Sequence, residues 1–358
     1  VYVMRMQLKL TSKERLVLYG LARYPGLSDI DLASNIGVDR STIFKSKRKF
    51  RDWKLIKLLN VPSGEAVGAE ILTSIFVKYN PTAPFEVRKG SPSYQNWVNY
   101  PNCVSHIATD TDSVSTFYSR SLTDFRVNFD PIIDEYYRSE FVEDIHYFHY
   151  PFQVSSYSAD AALAVDGLFD LTRSDLSEEI IPPKAALTED SRLTEKDKLT
   201  LYSFVKYPML SDLELSRRTG ISRPTISGKR TKFFQSGLLS REAYVDWQKI
   251  CCELMSFYHV RIRHGHDRED LAQVYQAFRR IGAPLFSYLQ PGEIFGAFLS
   301  TGYPDLKNRM DKELRTLSAQ GLIKERPMLV IMPLAEIKAS KIDYAPMVAK
   351  MLDVSKEI

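Results

Sequence analysis

The residues best suited to chemistry are cations gathered in two short stretches. Between Arg40 and Lys57 stand Arg40, Lys45, Lys47, Arg48, Lys49, Arg51, Lys54 and Lys57, with Asp52 as the single acid. From Arg223 to Arg241 the chain carries Arg223, Lys229, Arg230, Lys232 and Arg241 and no acid. Helices so charged suit a polyanion: long cations meet phosphates, while the first residues of each stretch are placed to meet base edges in a major groove. The expected DNA contacts are Arg40, Ser41, Thr42, Lys45, Lys47, Arg48 and Arg51 in the first stretch. In the second they are Arg223, Thr225, Ser227, Lys229, Arg230 and Lys232. The bland alternative is a solvated basic face kept only for protein contacts.

Other candidate chemistry is sparse. His264, His266 and Asp267 offer two imidazoles and a carboxylate in a loop, without a fourth ligand at zinc-site spacing. His146 and His149, three apart on an expected strand, face opposite sides and so do not share a metal. Cys251 and Cys252 are adjacent and Cys103 stands alone, which is neither a disulfide framework nor a zinc pattern. The cluster Tyr136, Tyr137, Tyr147, Phe148 and Tyr150 to Phe152 reads as core and interface rather than a stacking platform for bases. No phosphate-cradling glycine loop, nucleophile elbow or supported pair of catalytic carboxylates is present. The expectation is a chain that is not an enzyme and needs neither metal nor cofactor.

The elements that carry the cations are written twice. Leu10 to Ile56 aligns with Leu193 to Leu239 at a constant offset of 183, with 19 of 47 positions identical. The spacing predicts a helix after Thr11 and Thr194, closed by Tyr24-Pro25 and Tyr207-Pro208 because the residue before proline is driven out of the helical region. Ser28 and Ser211 cap a second helix that Gly37 and Gly220 stop. A third begins at Asp39-Arg40 and Ser222-Arg223. This is a helix-turn-helix pattern, and the short strands after it, with a turn at Ser63-Gly64, predict a wing.

Beyond the wing the second half predicts strand Leu254 to Ile262, helix Arg268 to Ile281, strands Leu285 to Leu289 and Ile294 to Leu299, helix Asp305 to Gln320 and strand Met328 to Met332. That βαββαβ order suits a ferredoxin-like sandwich. The first half predicts the same from Ile71 to Phe152, its first helix reduced to Tyr94 to Val98 among four prolines. Each half ends in a short helix, and an acidic linker runs from about Thr172 to Arg192.

Composition sets the class. The 358 residues are 44% hydrophobic and 26% charged with a net charge of +4, so the chain can build sizeable cores, and only local charge argues for a polyanion. No apolar run approaches the roughly 20 residues of a membrane span, and Val1 to Arg5 lacks a signal-peptide pattern. A cytoplasmic protein without a membrane partner is the expectation.

The run Leu32 to Thr42, its partner Leu215 to Leu239 and the segment Phe286 to Ile323 resemble the Lrp/AsnC, or feast/famine, family of archaeal and bacterial transcription regulators. The resemblance covers nearly the whole chain. It implies an α+β fold with two copies of a winged helix-turn-helix followed by a βαββαβ ferredoxin-like sandwich. The boundaries expected are 1–68, 69–171, a linker at 172–192, 193–249 and 250–358. It implies a regulator binding double-stranded DNA as a fused pseudo-dimer, open to further homo-oligomerisation through its sensor domains. It also implies a small effector near the turn between the middle strands, here Asp110, Asp112, Gly292 and Glu293, although neither turn keeps the family pattern and a plain tight turn is the competing reading. Two rival readings remain: the siroheme decarboxylases, enzymes whose domains resemble Lrp/AsnC regulators and use histidine and basic residues around a tetrapyrrole, and an interaction module of the transcription machinery.

Overall fold

The computed structural model describes residues 8–159, 161–171, 193–250, 252–263 and 268–354. The expected linker at 172–192 and the loop His264 to Asp267 lie outside the described residues.

The first half of the chain forms α1 (Ser12–Arg23), α2 (Asp29–Ile36), α3 (Arg40–Asp52), β1 (Ile56–Pro62), β2 (Ile71–Tyr79), α4 (Phe85–Arg88), α5 (Pro92–Val98), β3 (Cys103–Ala108), β4 (Asp112–Ser119), α6 (Leu122–Arg138), β5 (Val142–Pro151), β6 (Ser156–Ala159) and α7 (Ala161–Phe169). The second forms α8 (Glu195–Lys206), α9 (Asp212–Thr219), α10 (Arg223–Gln235), β7 (Leu239–Val245), β8 (Leu254–Arg261), α11 (Arg268–Ile281), β9 (Ala283–Gln290), β10 (Glu293–Ser300), α12 (Tyr303–Ala319), β11 (Met328–Pro333), β12 (Ala339–Ile342) and α13 (Ala345–Leu352). Among the described residues no helix is long and apolar enough to cross a membrane.

Local signals write the helical fronts. Thr11 and Glu14 form a reciprocal capping box on α1, and Thr194 and Asp197 do the same on α8. Gly37 and Gly220 close α2 and α9 at φ 68° and 70°, a left-handed conformation that costs glycine nothing. After α10, Gly237 again takes positive φ, 73°, whereas the same place after α3 holds Lys54 at φ 49°.

The wings depart from expectation. β1 and β7 pair with each other in a two-stranded sheet. Asp246 N donates to Leu55 O at 2.8 Å at one end, and Ser63 N to Leu238 O at 3.0 Å at the other. Gly64 adopts right-handed helical angles and opens a short helical turn, so Ser63-Gly64 does not fold the strand back into a hairpin.

The described residues fall into two compact units, each drawing on both halves of the sequence. The first takes α1 to α3, β6 and α7 from the first half and β8 to β11 with α11 and α12 from the second. Its antiparallel sheet runs β11-β8-β10-β9-β6, the four second-half strands in the order of a βαββαβ sandwich, with β6 added beside β9. Leu254, Tyr258 and Val260 of β8 pack with Val274, Phe278 and Ile281 of α11 and Leu306, Met310 and Leu317 of α12. Alternate residues of the strands face the other way.

The second unit joins β2 to β5 and α4 to α6 with α8 to α10, β12 and α13. Its antiparallel sheet runs β12-β3-β4-β2-β5. Trp97, fully buried, centres a core with Phe117, Phe129 and Tyr136 and donates Nε1–H to Ser115 Oγ at 2.9 Å. The proline-rich segment yields two short helices, α5 being capped by Ser91 with Pro92 in its first turn, where proline is tolerated. The two four-residue strands β6 and β12 are elements that the sequence pattern did not announce.

Two variants test this packing. A Cβ at Gly296 would lie 2.6 Å from Tyr258 Oη and 2.7 Å from Phe286 O. Gly296→Ala should cost about 1–3 kcal/mol of stability in denaturant unfolding. Lys54→Gly should instead gain about 1 kcal/mol, by releasing a left-handed backbone.

Candidate functional site

The cations of α3 and α10 divide into two groups. Lys47 pairs with Asp29 of α2, and Lys49 Nζ lies 2.7 Å from Glu14 of α1. In the second half Lys229 pairs with Asp197 of α8, and Arg230 Nε lies 2.7 Å from Asp212 of α9 with its guanidinium over the Phe204 ring. These cations lock the third helix to the first two. Arg40, Lys45, Arg48 and Arg51 of α3 are exposed, as are Arg223, Thr225, Ser227 and Lys232 of α10. Ser41 and Thr42 each donate a hydroxyl to Asp39 at 2.7 Å, and these hydrogen bonds hold that carboxyl well below the usual range. Thr225 bonds Ser222 at 2.8 Å. Phe44, 63% exposed, stands one turn from both Arg40 and Arg48.

A second cluster lies on the first unit's sheet, on the face turned away from α11 and α12. Phe257 of β8, Phe286 and Tyr288 of β9 and Phe295 of β10 form a connected set of rings, with Tyr288 and Phe295 stacked at 5.9 Å. Tyr157 of β6 stacks on Tyr288 at 4.6 Å. Beside the rings is His259, only 5% exposed, whose Nε2 is 3.3 Å from Glu293 Oε2. Gln290 donates to the same oxygen at 3.1 Å, and Arg261 Nε is 3.6 Å from the other. The bond from His259 holds the Glu293 carboxyl below its ordinary pKa, against the opposing effect of burial. Glu293 thus joins a polar group, while Gly292 supplies the turn at φ 82°. His259 was missed in the sequence; its signal was a histidine two residues after Phe257 on the same face of a mostly apolar strand.

The corresponding turn of the second unit is organised differently. Arg88, fully buried, stacks on Tyr79 at 3.4 Å and donates to the carbonyls of Ala83, Thr109 and Asp110. Asp110 Oδ1 accepts from Phe85 N at 3.0 Å, and Asp112 N bonds Thr109 Oγ1 at 3.0 Å, so both aspartates sit in a tied turn. Nearby, His106 bridges Tyr94 Oη at 3.1 Å and Ser115 Oγ at 2.8 Å. Burial, then the charges of Lys341 and Arg88, push its pKa down to about 3. Among the described residues no three His, Cys, Asp or Glu side chains are grouped to hold a metal ion.

No family model matches this chain. No curated protein is similar to it in sequence. Among solved structures, the siroheme decarboxylase NirDL is 12% identical over 96% of this chain and 99% of its own, at a TM-score of 0.51. Its co-complex with an iron-uroporphyrin III analogue gives the same values. From end to end, the fold resembles that of siroheme decarboxylase NirDL.

Partial likenesses also occur. An AsnC family regulator from Agrobacterium tumefaciens is 12% identical over 39% of this chain and 89% of its own, with a TM-score of 0.32. AsnC of E. coli is 12% identical over 40% and 92%, with a TM-score of 0.31. The α+β class is as expected, but the expectation that the chain is not an enzyme is corrected: a solved fold that matches 96% of the chain is that of an enzyme.

Two stability measurements follow. Lys229→Met should lower stability by about 1–3 kcal/mol, because Asp197 is left half-buried without its cation. The Lys229 bond helps hold the Asp197 carboxyl below 3.8 despite burial, so this contribution is complete above that pH and fades as pH falls through the lower folded value. For His106, the unfolded chain takes up a proton near 6.5 and the folded chain only near 3, so stability should fall as pH drops across that window. Thermal unfolding of His106→Gln should show a flatter pH profile there.

Proposed function

We propose that the chain is an enzyme of the siroheme decarboxylase kind, acting on a carboxylate-bearing tetrapyrrole at the ring-lined face of the first unit's sheet. The observation that carries this is His259, nearly buried, opposite Phe295 in register and hydrogen-bonded to Glu293. Support also comes from a likeness that spans both halves rather than one. Stacked rings suit a flat, largely apolar macrocycle. Loss of CO2 breaks a C–C bond and leaves an electron pair on carbon that takes up one proton. A histidine held by a carboxylate is suited to deliver it, because the hydrogen bond fixes the ring. Arg261, exposed at the edge of this face, supplies a cation for a substrate carboxylate.

The test is titration with iron-uroporphyrin III followed at the Soret band, then CO2 release from siroheme. Wild type should perturb the band and release CO2. His259→Gln should retain the spectral change and lose about a hundredfold or more in kcat. An unperturbed Soret band in wild type would sink the reading.

A second reading rests on a separate observation, the exposed row Arg40, Lys45, Arg48 and Arg51 on α3. It favours duplex DNA binding through the first helix-turn-helix, and is compatible with catalysis elsewhere. Arg48→Ala should then reduce the slope of log affinity against log salt by about 1 without changing site preference.

A further inference from the structure

Arg241 of β7 is, among the described residues, a guanidinium without a carboxylate. Its one hydrogen bond among the described residues runs from Nε to Asn60 Oδ1, 3.3 Å away, and its plane lies over Phe234 with 5.3 Å to the ring centroid. Among the described residues neither Nη group has a protein acceptor. Asn60 is buried at 2% exposure and donates Nδ2–H to Phe204 O at 2.9 Å. The ring of that same Phe204 carries Arg230, 4.5 Å from its centroid. Arg230 spends Nε on Asp212 and Nη2 on Leu210 O, leaving Nη1. One Asn60–Phe204 seam in the second unit thus holds two guanidiniums against one carboxylate.

This arrangement is costly unless used. Like charges held close repel, and burial removes the water that would screen them. Both effects are felt at Arg241: burial first, then the charge of Arg230, lower its pKa below the ordinary guanidinium value. The first half of the chain does not repeat it, since the positions 183 residues earlier are Leu58 and Lys47. A planar fork of unspent N–H groups is the geometry that grips a two-oxygen edge.

We propose that Arg241, backed by Arg230, binds an oxyanion, phosphate or carboxylate, at this seam. The site belongs to the second unit and His259 to the first, and the proposal does not rest on the catalytic reading.

The test is calorimetric titration of the full chain with sodium phosphate and, separately, sodium acetate, at ionic strength held constant with sodium chloride. Saturable binding of at least one anion is expected, weakened about tenfold or more in Arg241→Gln. Phosphate binding alone assigns the site to a phosphate source, acetate alone to a carboxylate source. If Arg241→Gln does not fold, Arg241→Lys decides, since it keeps the charge and loses the fork, and several-fold weaker binding is expected. No saturable heat with either anion, or equal binding by the Arg241 variant that folds, overturns the proposal.

Discussion

Everything in this molecule depends on a backbone ladder made between distant parts of the chain. The four-residue strand β6 cannot satisfy its own N–H and C=O groups, and it does so on the edge strand β9, more than a hundred residues later in sequence. β12 does the same on β3. Each exchange delivers the helix that follows: α7 packs on α1 within the first unit, with Arg15 over Phe169 at 4.8 Å, and α13 packs on α8 within the second. A helical front and a terminal arm from one half therefore complete a sandwich written in the other. The chain is organised as two units by this exchange, not by the order of its segments.

Within each helical front the decisive contacts are carboxylates in the first two helices. Glu14 and Asp197 occupy equivalent positions, cap their own helices and reach across to a lysine of the third, Lys49 in one case and Lys229 in the other. The shorter aspartate takes its lysine from one turn earlier than the equivalent of Lys49. Asp29 with Lys47 and Asp212 with Arg230 repeat at matching positions. The consequence is functional. Cations that look alike in sequence separate into those that build the domain and those that face solvent, and α3 keeps more of the latter than α10.

The two sandwiches share a topology and differ in where they hold polar chemistry. In the second unit a buried network of Arg88, Tyr79, Tyr94 and His106 stiffens the helix side of the sheet. In the first unit that side is mostly apolar, its polar contact being Tyr258 Oη with Ser287 Oγ, and the pair His259 and Glu293 lies on the opposite face. Register makes the comparison concrete: Lys78 opposite Asp112 corresponds to Arg261 opposite Glu293, but the residue two before the cation is Phe76 in one strand and His259 in the other. Divergence at a few strand positions is how one fold carries unlike sites.

The sequence alone determined the local architecture. The caps at Thr11, Ser28, Thr194 and Ser211, the stops at Gly37 and Gly220, helix Arg268–Ile281 and the strands at Ile71 and Leu254 were legible because helices and turns are encoded by residues within a few positions of one another. The helices α1 to α3 and α8 to α10 have the same bounds at an offset of 183. Tertiary structure decided the partners. Alternation in a strand reports that one face is buried, but not against what, so β1 with β7, β6 with β9 and β12 with β3 had no local signature. The same reason hid the partners of Lys47, Lys229 and His259: the group placed opposite each lies 18, 32 and 34 residues away in the chain.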